Sequence, residues 1–349
     1  MNQKMLLLYR ILFSISVILL LVSCGSSSQT TVNSDKAVDS LTVSHTFTAK
    51  TDEKLHYTAH YRVNQWLFAV SDSSLMVFDA RDGNYVKTIG KISKPGPIKV
   101  NGGLLFLLDI GQEIIQSIIL PTFETSGILG AGGLKKPVDM TIFASDVNKT
   151  SYFVSHSGDS SFQNSKKILS GSSYFALNET SEDIQNPPIG ELTGSGILYK
   201  PGAIEVDPTM GTIAVVEKSE FPNKINFFDL NGNYDPTYRT TFLVSGEIPD
   251  IELYYCTEGK GYWLIAQNTE FGGKRASLNL IDRVTNEYYG EIWFEDVNEI
   301  RSMCIVQSKV GVNIGGMLYI VNEKGKLYGY PWESIKEKLN LKHFCEINR

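Results

Sequence analysis

Cysteine is scarce in this chain: four residues, Cys24, Cys256, Cys304 and Cys345, far apart in the sequence. Such spacing excludes a zinc knuckle or a dithiol redox motif. The three that follow Cys24 are an odd number, so a disulfide framework is not expected, and Cys256 and Cys304 read as buried free thiols in strands. Histidine is as sparse, and none of His45, His56, His60, His156 and His343 has the helical spacing of a metal-binding pair. His56 and His60 fall in a Tyr-rich segment that reads as a strand, which puts them on one face but ~13 Å apart. Net charge is -6, from 32 basic and 38 acidic residues. The basic residues are scattered, which excludes the basic face that a nucleic-acid partner would need. There is no Gly-x-Ser-x-Gly elbow for an acyl hydrolase. The glycine-rich run Gly127-Ile128-Leu129-Gly130-Ala131-Gly132-Gly133 has no Gly-Lys-Ser/Thr after it, so it reads as a connection between blades rather than a phosphate loop. Asp229-Leu230-Asn231-Gly232 begins like a calcium loop but lacks the closing glutamate, and Asn-Gly is first a hairpin turn.

Long apolar runs are also missing. The one candidate, Ile11 to Leu21, follows Lys4 and Arg10 and runs into Leu21-Val22-Ser23-Cys24-Gly25. Eleven residues rise only ~16 Å as a helix, against a ~30 Å hydrocarbon core. The arrangement is that of a lipoprotein signal: a basic start, a short apolar stretch, and a lipobox whose Cys24 thiol accepts diacylglycerol. Residues 1–23 are thus expected to be a signal peptide. Residues 24–44 begin Cys24-Gly25-Ser26-Ser27-Ser28-Gln29-Thr30-Thr31; they have almost nothing to bury and read as a lipidated, flexible tether. Residue 25 is not Asp, which points to the outer membrane of a bacterial envelope.

Helical periodicity is absent until the last twenty residues. Instead, from Gln65 onward, runs of Ile, Val, Tyr, Phe and Trp are restated between turns, as strands require. Their starts, Trp66, Leu104, Tyr152, Thr212, Tyr262 and Met317, are spaced by about 50 residues, the period of propeller blades. The expected fold is all-β: residues 45–349 form a six-bladed β-propeller with a short C-terminal helix. Pro331-Trp332-Glu333-Ser334-Ile335 opens that helix, and Trp332, Ile335 and Leu339 form its apolar side.

Two segments carry a family resemblance. Pro249-Asp250-Ile251-Glu252, followed by Tyr254-Tyr255 and Glu258-Gly259-Lys260-Gly261-Tyr262-Trp263-Leu264, resembles a segment of the β-propeller phytases, and Tyr330-Pro331-Trp332-Glu333-Ser334-Ile335 is similar to the helix that closes that family. Weaker echoes are Asp207-Pro208-Thr209-Met210-Gly211, with Glu217 at the end of the next strand, and Ile281-Asp282-Arg283 with Asn286. The resemblance implies a six-bladed propeller and, in active members, a calcium-rich cleft at one channel mouth that hydrolyses phosphate monoesters. Clustered carboxylates suit hard cations, and such cations activate water. The implied ligands are Asp250 and Glu252, with Glu217, Asp296, Glu299 and Glu323 at further acidic positions. Several other acidic positions of the family are missing: Thr51-Asp52-Glu53-Lys54, Pro201-Gly202-Ala203 and Val321-Asn322-Glu323-Lys324 stand where active members are richer in ligands.

The expected function is therefore a monomeric, envelope-anchored platform, attached to the membrane through lipid on Cys24, that binds a protein, a glycan or a phosphorylated small molecule. The rival is a calcium-dependent phosphate monoester hydrolase. Five or more carboxylates at one mouth of the channel would favour the hydrolase.

Overall fold

A computed structural model describes residues 42–129, 134, 136–146, 149–156, 172–178, 190–191, 201–218, 223–229, 246–256, 259–269 and 275–341. The strands form six sheets. In chain order, the inner strands of these sheets are Leu55–Tyr61, Ile98–Asn101, Pro137–Asp146, Pro201–Asp207, Ile251–Tyr255 and Ile300–Val306. Each contacts the next, and the sixth contacts the first, so they line a closed ring. This is a β-propeller with one short helix among the described residues. The restated segments are the second strands of the sheets, including Trp66–Ser71, Leu104–Asp109, Thr212–Glu217 and Met317–Asn322. They are buried on both faces between neighbouring sheets, which is why they read as unbroken apolar runs.

The expectation of six complete blades needs correction. Five sheets have four or more strands, whereas the fourth, Pro201–Asp207, Thr212–Glu217 and Lys224–Asp229, has three among the described residues. The structure thus shows five full blades. The expected Asn231-Gly232 turn lies outside the described residues.

The ring closes through the N-terminal segment. Phe47–Thr48 pairs antiparallel with Leu327–Pro331 as the fourth strand of the last sheet. Just before it, Thr42–Val43 pairs in parallel with Trp293 and Phe294. Thr42–Val43 lies within the residues 24–44 that composition reads as tether, and it is a strand because the Trp293–Phe294 edge pairs with it. The Phe47 ring meets Tyr319 edge-on at 5.1 Å, and the Tyr319 hydroxyl donates to the Ala80 carbonyl at 2.7 Å. The last sheet is thereby tied to the first.

The helix, α1, spans Trp332–Leu339. Pro331 ends the preceding strand instead of entering the first turn. Trp332 and Ile335 are fully buried, and the Trp332 ring stacks on Tyr254 at 4.3 Å. Asn340 adopts a left-handed conformation that terminates the helix. No described helix is long and apolar enough to cross a membrane.

Cysteine pairing differs from expectation. Cys304 is free and half-buried, but Cys256 is disulfide-bonded, to a partner outside the described residues. An odd number of thiols still allows one bonded pair. Cys256 follows the fifth inner strand and packs in the same cluster as Trp332, Ile335 and Leu341.

Replacing Trp332 with Ala should lower stability by about 3–5 kcal/mol, the usual cost of deleting a fully buried large aromatic. Urea unfolding checks this, and an unchanged midpoint would show that the helix does not dock.

Candidate functional site

The ring encloses a channel with two cavities. The starts of the inner strands line an upper cavity of about 300 Å³, and their ends line a lower one of about 400 Å³. Thr58, Ile98, Lys99 and Glu252 line both. The waist between the cavities is therefore a polar layer.

Four consecutive sheets turn a charge towards the channel through one local pattern, a charged residue between apolar neighbours: Ile98-Lys99-Val100, Val138-Asp139-Met140, Ile204-Glu205-Val206 and Ile251-Glu252-Leu253. Alternation along a strand sends the apolar neighbours between the sheets and the charge into the channel. The Lys99 ammonium donates to Glu205 Oε2 at 2.6 Å and to Glu252 Oε1 at 3.0 Å. The Thr141 hydroxyl and the Val206 N–H donate to the other Glu205 oxygen at 2.7 and 2.9 Å. These three charged side chains are 11–21% exposed.

Asp139 and Asp250 stand one layer higher and act as braces between sheets. Asp139 accepts the N–H of Ile204 in the next sheet at 2.9 Å, and Asp250 accepts that of Met303 at 2.7 Å. Asn268 bonds both backbone groups of Ile300 in the same way.

Burial dominates the electrostatics. It raises the carboxyls of Asp139 and Asp250 to about 7 and that of Glu252 to about 8, although Lys99 pulls each of them down. Burial alone would depress Lys99, but Glu205, Glu252, Asp250 and Asp139 together hold its ammonium well above its usual value. The hydroxyl of Tyr57 is pushed up by burial and then by Asp139 and Asp250. In the lower cavity, burial and then Arg62 hold the His60 imidazole down at about 4, and burial raises the Cys304 thiol. Neither is a charged nucleophile or base near neutrality.

The acidic residues singled out from the sequence are dispersed. Asp250 and Glu252 line the upper cavity, and Glu299 stands on its wall. Glu323 lies behind it, where it accepts the Asn298 and Glu299 backbone N–H groups at 3.3 and 3.2 Å. Burial works against its ionised form, but these bonds outweigh it and lower its pKa. Glu217 accepts from the Asn226 amide at 3.0 Å at the end of its strand. Asp296 is 59% exposed and faces His45 at 3.8 Å. Cys24 lies outside the described residues. Lys99, Asp139 and Glu205, not singled out beforehand, are at the centre of the site. The two weaker echoes do meet, in a fully buried pair with Arg283 Nε 3.0 Å from Asp207 Oδ2, at the lower rim.

Five carboxylates line the upper cavity, those of Asp139, Glu247, Asp250, Glu252 and Glu299, together with Lys99, Lys218 and Arg301. Glu247 is bridged by Lys218 at 3.1 Å. Arg301 reaches His56 at 3.3 Å, and the other nitrogen of that ring meets Asp72. Among the described residues no three acidic, histidine or cysteine groups converge as a metal site would require.

The fold has relatives. A solved structure of Kuenenia stuttgartiensis hydrazine synthase is similar with a TM-score of 0.52 at 12% identity, over 79% of this chain and 83% of that one. The computationally designed Ika8 protein aligns with a TM-score of 0.47 at 8% identity, over 82% of this chain and 99% of that one. At 12% identity the likeness to the hydrazine synthase bears on architecture alone. No family model matches the chain, and neither does any curated protein.

The raised carboxyls have a definite linkage consequence. The folded state holds protons on Asp139, Asp250 and Glu252 that the unfolded chain releases from about pH 4, so stability falls as pH rises from about 4 to between 7 and 8. Asp250 alone should account for a loss on the order of 2–4 kcal/mol. Denaturant unfolding across this range should give a shallower slope for Asp250→Asn than for the natural chain, and identical slopes would sink the assignment.

Proposed function

We propose that the chain is an envelope-anchored lipoprotein whose propeller is a binding platform, with the upper channel mouth as its ligand site and a protein, a glycan or a phosphorylated small molecule as its partner. We read the three-stranded sheet as the fourth blade of a six-bladed ring, since its inner strand holds its place between the third and fifth. The observation that carries the binding reading is the ammonium of Lys99, held between Glu205 and Glu252. A fixed cation of the protein stands beside the acidic pair that a metal hydrolase would use, and it neutralises the charge that would attract calcium. Asp139 and Asp250 are spent on backbone N–H groups. What is left to a ligand is a rigid polar mouth of mixed charge built on strand ends, the usual place for recognition on such a scaffold.

Export is supported by chemistry independent of the lipobox. A disulfide at Cys256 belongs to an oxidising compartment such as the periplasm or cell surface. Lipidation at Cys24 would hold residues 42 onward outside the cytoplasm.

The calcium-dependent phosphatase resembling the phytases remains the second reading, and one observation favours it: the five carboxylates of the upper cavity reach the number set for it above. The readings separate in one titration. Because a cation bound only to the native state raises its melting temperature by mass action, millimolar calcium should leave the melting temperature unchanged and phytate unhydrolysed. A calcium-dependent rise that Glu252→Gln abolishes, together with phosphate release, would move the assignment to the hydrolase.

For the anchor, Cys24→Ala should abolish incorporation of a labelled fatty acid and release the protein from the membrane fraction. Undiminished labelling of this variant would refute the lipoprotein reading.

A further inference from the structure

Each inner strand begins at the upper cavity and ends at the lower one. Antiparallel order within the sheets then assigns every turn to an end: first-to-second and third-to-fourth strand turns lie at the lower end, the others at the upper. The exposed apolar side chains follow this division closely. Of the ten large ones among the described residues, nine lie at the lower end and only Ile128 towards the upper. The most exposed sit on turns after inner strands: Val312 at 90%, Val63 at 77% and Ile314 at 62%. Val312 and Ile314 project from the Gln307–Gly316 connection of the last sheet, and Gly311 in that connection packs on Arg81 of the first sheet. Tyr85 and Tyr288 stand at the lower starts of fourth strands. Scattered apolar residues need no explanation, but their gathering on the turn tips of one end does.

We infer that the lower end of the propeller lies against the lipid surface to which the chain is anchored, with Val63, Val312 and Ile314 as apolar tips entering the headgroup boundary. The inference rests on the lipoprotein reading above. Seventeen residues, 25–41, separate Cys24 from Thr42, and at ~3.3–3.6 Å per residue no conformation of them reaches beyond ~60 Å. A lipid on Cys24 thus confines the propeller to within about its own dimensions of the bilayer, and a weak apolar contact gains from that effective concentration. Aliphatic tips with tyrosines beside them are the composition that settles at a membrane interface. Exposed Arg62 and Lys309 on the same turns suit anionic headgroups. Docked in this way, the protein turns the lower cavity towards the lipid and leaves the upper mouth open to its ligand.

The test uses the full acylated protein in vesicles of phosphatidylethanolamine and phosphatidylglycerol with brominated acyl chains. A bimane label is placed by Val312→Cys or, at the upper end, by Glu53→Cys, each with Cys304→Ser. Severalfold stronger quenching at position 312 than at 53 is expected, together with protection of the 312 label from aqueous iodide. Equal quenching at both positions in an acylated, vesicle-bound protein would overturn the docking and leave the anchor standing. A chain that carries no acyl group on Cys24 would defeat the anchor and the docking together. Iodide protection at 312 that rises with protein concentration in the absence of vesicles would show that a second copy covers this end, and would overturn the proposal as well.

Discussion

Everything in this structure depends on closing a ring whose two ends are far apart in the sequence. The contact that does so is small: Phe47 and Thr48, paired with Gly329 and Tyr328. Sheets that lean on both neighbours are stable only when none is left with an open face. Phe47 meets Tyr319 beneath this seam, and hydrogen bonds from the Tyr319 hydroxyl to the Ala80 carbonyl, from the Leu55 N–H to the Gly325 carbonyl and between Arg301 and His56 tie the last sheet to the first. The entropic cost of bringing the ends together grows only slowly with the length between them. A short seam backed by these bonds and by the contact of the sixth inner strand with the first can therefore hold it.

The closed ring also makes the channel chemistry possible. Lys99, Asp139, Glu205 and Glu252 come from four different sheets and meet only because the inner strands face a common axis. Had one sheet been missing, Lys99 would face water, and the burial that raises the carboxyls would vanish. The cluster balances the Lys99 ammonium against four acids, and burial raises the carboxyls of Asp139, Asp250 and Glu252. Breaking such a balance on one side costs far more than the pair contributes while intact.

The propeller was legible in the sequence because each second strand is buried on both sides, so that Leu104 to Leu108 or Met317 to Val321 appear as unbroken apolar runs. The terminal helix was legible from Trp332 and Ile335 on one face. What escaped depended on partners distant in sequence. Thr42–Val43 and Phe47–Thr48 are too short to show alternation, and become strands only because Trp293 and Gly329 wait for them. The pairing of Cys256 is of the same kind. Of the site, Asp250 and Glu252 were found through a resemblance, whereas Lys99, Asp139 and Glu205 were overlooked because each is a lone charge in an apolar strand. That was itself the signal: a single ionisable residue flanked by apolar ones, repeated in four inner strands, marks the axis of the ring. Glu217, Asp296 and Glu323 are acidic too, but they end strands or occupy turns, where a charge meets solvent or a local N–H and marks nothing.

The seam that closes the ring lies in the first folded residues of the chain, and this has a mechanical meaning. Any pull transmitted along the polypeptide ahead of Thr42 loads Thr42–Val43 first and Phe47–Thr48 next. The parallel edge pair shields the antiparallel seam behind it, as a strain-relief loop shields a soldered joint. Such a pull enters at the edge strands, while the channel with its charged waist sits behind them and stays undisturbed until the clasp gives way.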